Sequence, residues 1–261
     1  MPSSTPRDDL QRVRVQFDRQ AEAYARMRQT TDARALAGLV GLCGAGAGDR
    51  VLDVACGPGL LTLAFAARVQ EAVGIDATPA FLRMARQEAA RRGLAGARFQ
   101  EGDAEALPFP DGAFDVAACR AAFHHFPRPA RVLSEMRRVV RPGGRLLVAD
   151  LLGSEDPEKA SLHDRIERLC DPSHARALPA SAFERLFAEA GLEVVAAPRG
   201  ELAYDAEDWL AHGGPDETTA ARIRTLLAES AGGDRADLDV HRDAAGRLRF
   251  RHRTAAWLLR R

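Results

Sequence analysis

Val51-Leu-Asp-Val-Ala-Cys-Gly-Pro-Gly59 is a short apolar run that ends in a glycine turn, and Asp76 closes a second apolar run seventeen residues after Gly59. Strand, tight turn, helix, second strand and terminal acid, in that order, describe the first unit of a doubly wound α/β sheet that holds a nucleotide-bearing cofactor. With no side chain at Gly57 or Gly59, a ligand can approach the backbone where the amides of the next helix point outward. The Asp76 carboxylate stands where it can accept charge-assisted hydrogen bonds from both ribose hydroxyls. The GxGxxG spacing that seats a dinucleotide pyrophosphate is incomplete here, because its third position falls on Thr62. A glycine turn that serves only strand-to-helix packing is the plain rival reading.

Outward from this unit, strand and helix alternate, as in a mainly parallel sheet covered on both faces. Strands are expected at 51–55, 72–76, 97–101, 114–120 and 145–152, with helices at 60–69, 79–92 and 129–140 between them. Thr78 is a plausible N-cap for the helix that Pro79 opens and Gly93 stops. Beyond Leu152 the spacing predicts helices near 157–170, 180–190, 205–212 and 215–229, and strands at 192–198 and 247–259. Ahead of the sheet, Leu10, Val13, Phe17, Ala21 and Tyr24 recur at helical spacing, which reads as an amphipathic helix lying across the site as a lid. No internal repeat or long linker divides the chain, so a single domain over 1–261 is expected. Within it, 1–48 forms a helical cap, 49–152 the cofactor core, and 153–261 the acceptor-side helices and last two strands.

Lys plus Arg equals Asp plus Glu at 37 each among 261 residues. Without a basic field to gather phosphates, nucleic acid is a poor substrate. Cys43, Cys56, Cys119 and Cys170 form no CxxC pair, so reduced thiols in a cytoplasm fit better than a disulfide framework. The first ten residues are charged where a secretory signal needs an apolar core, and no run approaches the length of a membrane span. Asp150 and Asp156 offer two acids without a third oxygen ligand, so they are read as solvated carboxylates and no metal site is expected.

The segments "VLDVACGPG" (51–59), "GIDAT" (74–78), "GDAEALPFPDGAFD" (102–115), "RAAFHHF" (120–126) and "RVVRPGGRLLVADL" (138–151) occur in an order that resembles the class I S-adenosylmethionine-dependent methyltransferases. The resemblance is to their ubiquinone/menaquinone methyltransferase-like, small-molecule group, and it covers roughly residues 10–155. It implies a Rossmann-like class I methyltransferase fold: a seven-stranded, mostly parallel sheet with an antiparallel last strand and an N-terminal helical cap. It also implies S-adenosylmethionine as cofactor and S-adenosylhomocysteine as product. By this resemblance Asp53, Ala55, Gly57 and Gly59 lie along the methionine part, Asp76 and Ala77 at the ribose, Asp103 and Ala104 by the adenine, and Cys119, Arg120 and Ala121 beside the sulfonium. Phe17 and Tyr24 match the family's cap over the cofactor. Ala55 departs from the pattern, since many members have glycine there.

The family reaction is an in-line displacement, in which holding two reactants aligned supplies about 7–11 kcal/mol and no covalent enzyme intermediate forms. A general base helps only if the acceptor must lose a proton. His124 and His125 follow the fourth strand at the edge where α/β sheets open their ligand crevice, and His174 is a third candidate base; each is equally a capping or packing histidine. Arg120 can hold an acidic acceptor or pair with a nearby carboxylate. The Asn/Asp-Pro-Pro-aromatic segment of amino-directed nucleic-acid methyltransferases is absent after the fourth strand, where Cys119-Arg-Ala-Ala-Phe123 stands instead. The sequence therefore points to methyl transfer onto a small organic acceptor, without separating O-, N- and C-methylation or a monomer from a homodimer. Three alternatives stay open: a decarboxylase or cyclase that binds the same cofactor, a nicotinamide-dependent oxidoreductase, and a non-catalytic binding protein.

Overall fold

Residues 11, 14–17 and 32–261 are described by the computed structural model. The elements begin with α1 (Ala33–Cys43), β1 (Arg50–Val54), α2 (Leu60–Ala66), β2 (Glu71–Asp76), α3 (Pro79–Arg91), β3 (Ala97–Glu101) and β4 (Phe114–Arg120). A single 3-10 turn, Phe123–His125, leads to α4 (Pro129–Val139) and β5 (Val140–Leu151). Then follow α5 (Pro157–Cys170), α6 (Ala180–Glu189), β6 (Glu193–Ala196), β7 (Arg199–Asp205), α7 (Ala206–Gly213), α8 (Glu217–Ser230), β8 (His241–Arg242) and β9 (Leu248–Arg260).

The main path of the sheet runs β3-β2-β1-β4-β5-β9-β6. Strands β1 to β5 pair in parallel, and β9 enters antiparallel between β5 and β6. The expected seven strands with an antiparallel last member are therefore present. Strands β7 and β8 add two that were not foreseen, and both pair with β9. Burial explains the central order: Val51 to Val54 and Val116 to Cys119 are closed off on both faces, as parallel strands under helices must be. The charged strand β3 takes the edge.

Strand β9 joins two apolar cores. Its odd-numbered Ala255, Trp257 and Leu259 pack into the main cluster under α4 and α6, where the Trp257 ring lies 4.5 Å from Phe183 and 5.4 Å from Phe187. Its pairing with β5 ends at Leu151 opposite Thr254. The residues before Thr254 thus run past the end of β5, and Leu248 and Phe250 bury into a second cluster with Ile166, Trp209, Ile223 and Leu227. The C-terminal region closes around this extension, which leaves space between the two cores at the carboxyl end of the sheet.

Local caps depart from the sequence reading in one respect. Asp32 and Asp156 cap α1 and α5 by accepting from the first helical amides. Thr78 occupies the N-cap position of α3, but its hydroxyl makes no capping bond, and Asp76 Oδ1 accepts from Thr78 N–H at 2.8 Å instead. The same Asp76 carboxylate accepts Gly57 N–H through Oδ2 at 2.8 Å, so one acid fixes the turns after β1 and β2.

The glycine turn divides its labour. Gly57 and Gly59 both have left-handed φ, at 53° and 78°, and so does Ala55 at 54°. A Cβ on Gly59 would lie 2.7 Å from Phe99 Cε1 and 2.8 Å from Ala85 Cβ. Gly59 is thus required by packing of the turn onto α3 and β3, in addition to its backbone conformation. Gly59→Ala is expected to lower unfolding stability by about 2–4 kcal/mol, summing left-handed strain and overpacking. Ala55→Gly relieves strain and is expected to be neutral or to gain up to about 1 kcal/mol. Urea unfolding of both variants checks this; a Gly59→Ala protein as stable as the parent would refute the packing role.

Candidate functional site

At the carboxyl ends of β1, β2 and β4 lies a cavity of ≈ 350 Å³. Among the residues expected from sequence, Phe17, Asp53, Ala55, Gly57, Asp76, Ala77, Asp103, Ala104, Arg120, Ala121, His125 and His174 all line it. Two do not. Gly59 faces Phe99 and Ala85, as described above, and the Cys119 side chain points into the main apolar core at 0% exposure. Cys119 is corrected to a core residue, with burial pushing its thiol well above the usual range. Tyr24 lies outside the described residues. Phe17 covers the cavity from above, its ring 5.4 Å from Phe81 and edge-on to His125 at 5.1 Å.

Two buried carboxyls, Asp53 and Asp76, face this cavity. Burial raises the Asp53 carboxyl to about 7, against the Thr62 hydroxyl, which donates to it at 2.6 Å, and the Arg120 charge. Burial likewise raises Asp76, opposed by the N–H donors of Gly57 and Thr78. Each Asp76 oxygen accepts one of these bonds, and an ionised carboxylate retains further lone pairs. Asp103 Oδ1 accepts from Glu105 N–H at 2.8 Å, which fixes the loop after β3.

A second chamber, ≈ 660 Å³, adjoins the first and shares Phe17, Arg120, Ala121 and His125 with it. Its walls include Leu39 and Leu42 of α1, Leu202 and Tyr204 of β7, and Trp209 of α7, a predominantly apolar set. His124 and Asp150 open onto it. Asp150 is 4% exposed rather than solvated as expected, and its Oδ2 accepts Ala122 N–H at 3.0 Å and Phe123 N–H at 2.6 Å. Its Oδ1 lies 2.6 Å from His124 Nδ1. Burial disfavours the charged ring of His124, but the Asp150 carboxylate prevails and raises its pKa above 6.5. Burial, then the charge of His124, push His125 down to about 4, and its Nδ1 lies 3.1 Å from the Ser173 hydroxyl. The two neighbours thus differ: His124 is strengthened as a base, and His125 is a neutral wall residue. His174 directs Nε2 to Asp164 Oδ1 at 2.8 Å, which holds the loop before α6.

The partnership of His124 with Asp150 was not read from the sequence. Its signal is positional: β4 and β5 are parallel neighbours with Arg120 opposite Ala149, so the acid ending one strand meets the turn leaving the other. A further buried group, His163, Glu167 and His252, brings one ligand atom from each side chain within 4.8 Å of the others. Glu167 and His252 also border the chamber. Among the described residues no helix is long and apolar enough to cross a membrane.

Residues 52–148 match a family model described as a methyltransferase domain. The chain is 34% identical over 211 residues to the uncharacterized methyltransferase YcgJ of Bacillus subtilis, covering 81% of this chain and 83% of that protein. The crystal structure of YcgJ overlays with a TM-score of 0.81 at 30% identity, over 87% of this chain and 98% of that one. Demethylmenaquinone methyltransferase of Thermus thermophilus is 47% identical over 103 residues, which span 39% of this chain and 46% of that enzyme. These likenesses set aside the nicotinamide reading. Matched to YcgJ over 81% of its length, the chain belongs to the S-adenosylmethionine-dependent methyltransferases.

Proposed function

We propose that the enzyme methylates a small, largely apolar organic acceptor held in the ≈ 660 Å³ chamber, with His124 taking the proton the acceptor releases. The observation that carries this reading is the shared wall: Arg120, Ala121 and His125 border both spaces. A methyl donor in the first cavity and an acceptor in the second would therefore be close neighbours, meeting at the edge these residues form. Bound in the first cavity, S-adenosylmethionine would supply an electrophilic sulfonium methyl for in-line attack by the acceptor, with S-adenosylhomocysteine as the leaving group. The proton passes to His124 Nε2, the ring nitrogen that Asp150 does not engage, and Asp150 holds the tautomer and orientation. Asp76 would take the ribose hydroxyls, Asp103 and Ala104 the adenine, and Asp53 would lie toward the methionine end. The similarity to quinone methyltransferases and the apolar walls both favour a hydrophobic acceptor. Neutral net charge argues against nucleic acid. Four buried free cysteines suit a reducing cytoplasm.

Three outcomes test this reading. Asp76→Asn, which keeps the shape of the side chain, is expected to weaken cofactor binding by about tenfold or more in calorimetry, as loss of charged hydrogen bonds requires; an unchanged affinity refutes the ribose role. With an acceptor identified by the mass of its methylated product, His124→Ala should lower turnover about 10²–10⁴-fold while cofactor affinity stays put, and His125→Ala should cost much less. If the order of the two variants were reversed, the base would be His125.

The third outcome is a pH profile. Because the His124 pKa is raised above 6.5, its basic form is depleted as pH falls through that raised value. The acid limb of turnover should therefore lie above 6.5 and vanish as a distinct limb in His124→Ala. The linked stability has the opposite sense: the His124 contribution is fully present below about 6.5 and is lost as pH rises through the folded-state value. An acid limb at or below 6.5 would contradict the assignment.

A further inference from the structure

His163 and Glu167 stand one turn apart on α5, and His252 comes from the part of β9 that runs past β5. They are 1%, 6% and 3% exposed. Glu167 Oε1 lies 2.9 Å from His252 Nε2 and 3.9 Å from His163 Nε2. These are ion-pair distances without hydrogen-bond alignment: Glu167 Oε1, His252 Nε2 and both ring nitrogens of His163 are buried with no hydrogen-bond partner among the described residues. Leaving a buried polar atom unpaired costs about 1–3 kcal/mol, and more for a charged one. Three of these atoms, one from each side chain, lie within 4.8 Å of one another and ask for a shared partner.

We propose that His163, Glu167 and His252 form a site for a divalent transition-metal ion at the floor of the acceptor chamber. Ligand atoms around a tetrahedral Zn²⁺ lie about 3.3 Å apart, given metal–ligand bonds of about 2.0–2.1 Å, and the two measured separations bracket that value. Two imidazoles and one carboxylate select zinc or another first-row transition metal over magnesium or calcium, which prefer all-oxygen shells. Three protein ligands leave a fourth position open, the pattern of catalytic rather than structural zinc sites. Glu167 and His252 border the chamber together with His124 and Asp150, so the open position faces the acceptor. On the methyl-transfer reading above, the ion would hold an acceptor oxygen and stabilise its anion, which narrows the acceptor to a molecule with a phenolic, enolic or carboxylic oxygen.

The site can be tested apart from turnover. Full-length protein stripped with a chelator is titrated with Co²⁺, whose visible bands report tetrahedral coordination, and with Zn²⁺ in competition. One equivalent is expected to bind. Loss of an outer-shell partner alone costs about 10–100-fold in metal affinity, so Glu167→Gln should weaken binding by about 100-fold or more, with His252→Gln as an independent second variant. Calorimetric binding of S-adenosylmethionine serves as the fold control and should be unchanged in both. Acetohydroxamate, a small oxygen ligand, should shift the cobalt bands if the open position faces the chamber. Absence of cobalt bands in protein that binds S-adenosylmethionine, or variants that bind Co²⁺ like the parent, would overturn the site and leave the methyl-transfer reading standing. Failure of the parent to bind S-adenosylmethionine while Co²⁺ still binds would undo that reading and keep the site.

Discussion

The carboxylate of Asp150 sets the geometry on which both halves of the site depend. Four donors converge on it: the N–H groups of Ala122, Phe123 and Leu151 and the His124 ring. Charge-assisted bonds of this kind are roughly twice as strong as neutral ones. They hold the chain where it leaves β4, immediately after Ala121 takes its left-handed φ of 52°. A non-glycine residue adopts that conformation only when its surroundings impose it. The wall between donor and acceptor spaces is therefore as rigid as the end of the sheet beneath it, and the alignment that an in-line displacement needs is built into the backbone before either reactant binds.

Asp76 repeats the arrangement at the first crossover. By accepting from Gly57 and Thr78 it ties the turns after β1 and β2 to each other, and it retains lone pairs directed at the cavity. The acid that ends a strand thus orders the loop first and meets the ligand second. This double use explains why a carboxylate can be tolerated at 8% exposure: backbone donors offset much of its desolvation before any ligand arrives.

The cofactor half was legible in the sequence because its signals are local. Apolar runs, glycines with left-handed φ and a terminal acid lie within one unit, and the boundaries of β3, β4 and α5 follow directly from their patterns. What escaped was set by tertiary contact. The Thr78 hydroxyl makes no capping bond to α3 while Asp76 accepts the Thr78 N–H, and Gly59 answers to Phe99, forty residues on. Strand β7 lacks a strong alternating pattern and exists because β9 offers it an edge. The asymmetry between His124 and His125 depends on which ring meets Asp150, which two adjacent identical letters cannot disclose. The His163 and Glu167 spacing is readable on a helix, but the approach of His252 follows from how far β9 overshoots its neighbour.

That overshoot has an evolutionary cost. Odd residues of β9 fill the core beneath the cofactor half, while Leu248, Phe250 and His252 turn to the other face, toward the acceptor half. Side chains alternate strictly along a strand, so inserting or deleting one residue in its middle would exchange the faces of one half relative to the other. The acceptor half is consequently locked in phase with the cofactor half. Descendants of this chain can explore new acceptors by exchanging side chains at alternate positions of β9 and around the chamber, but not by changing the length of the strand that both halves share.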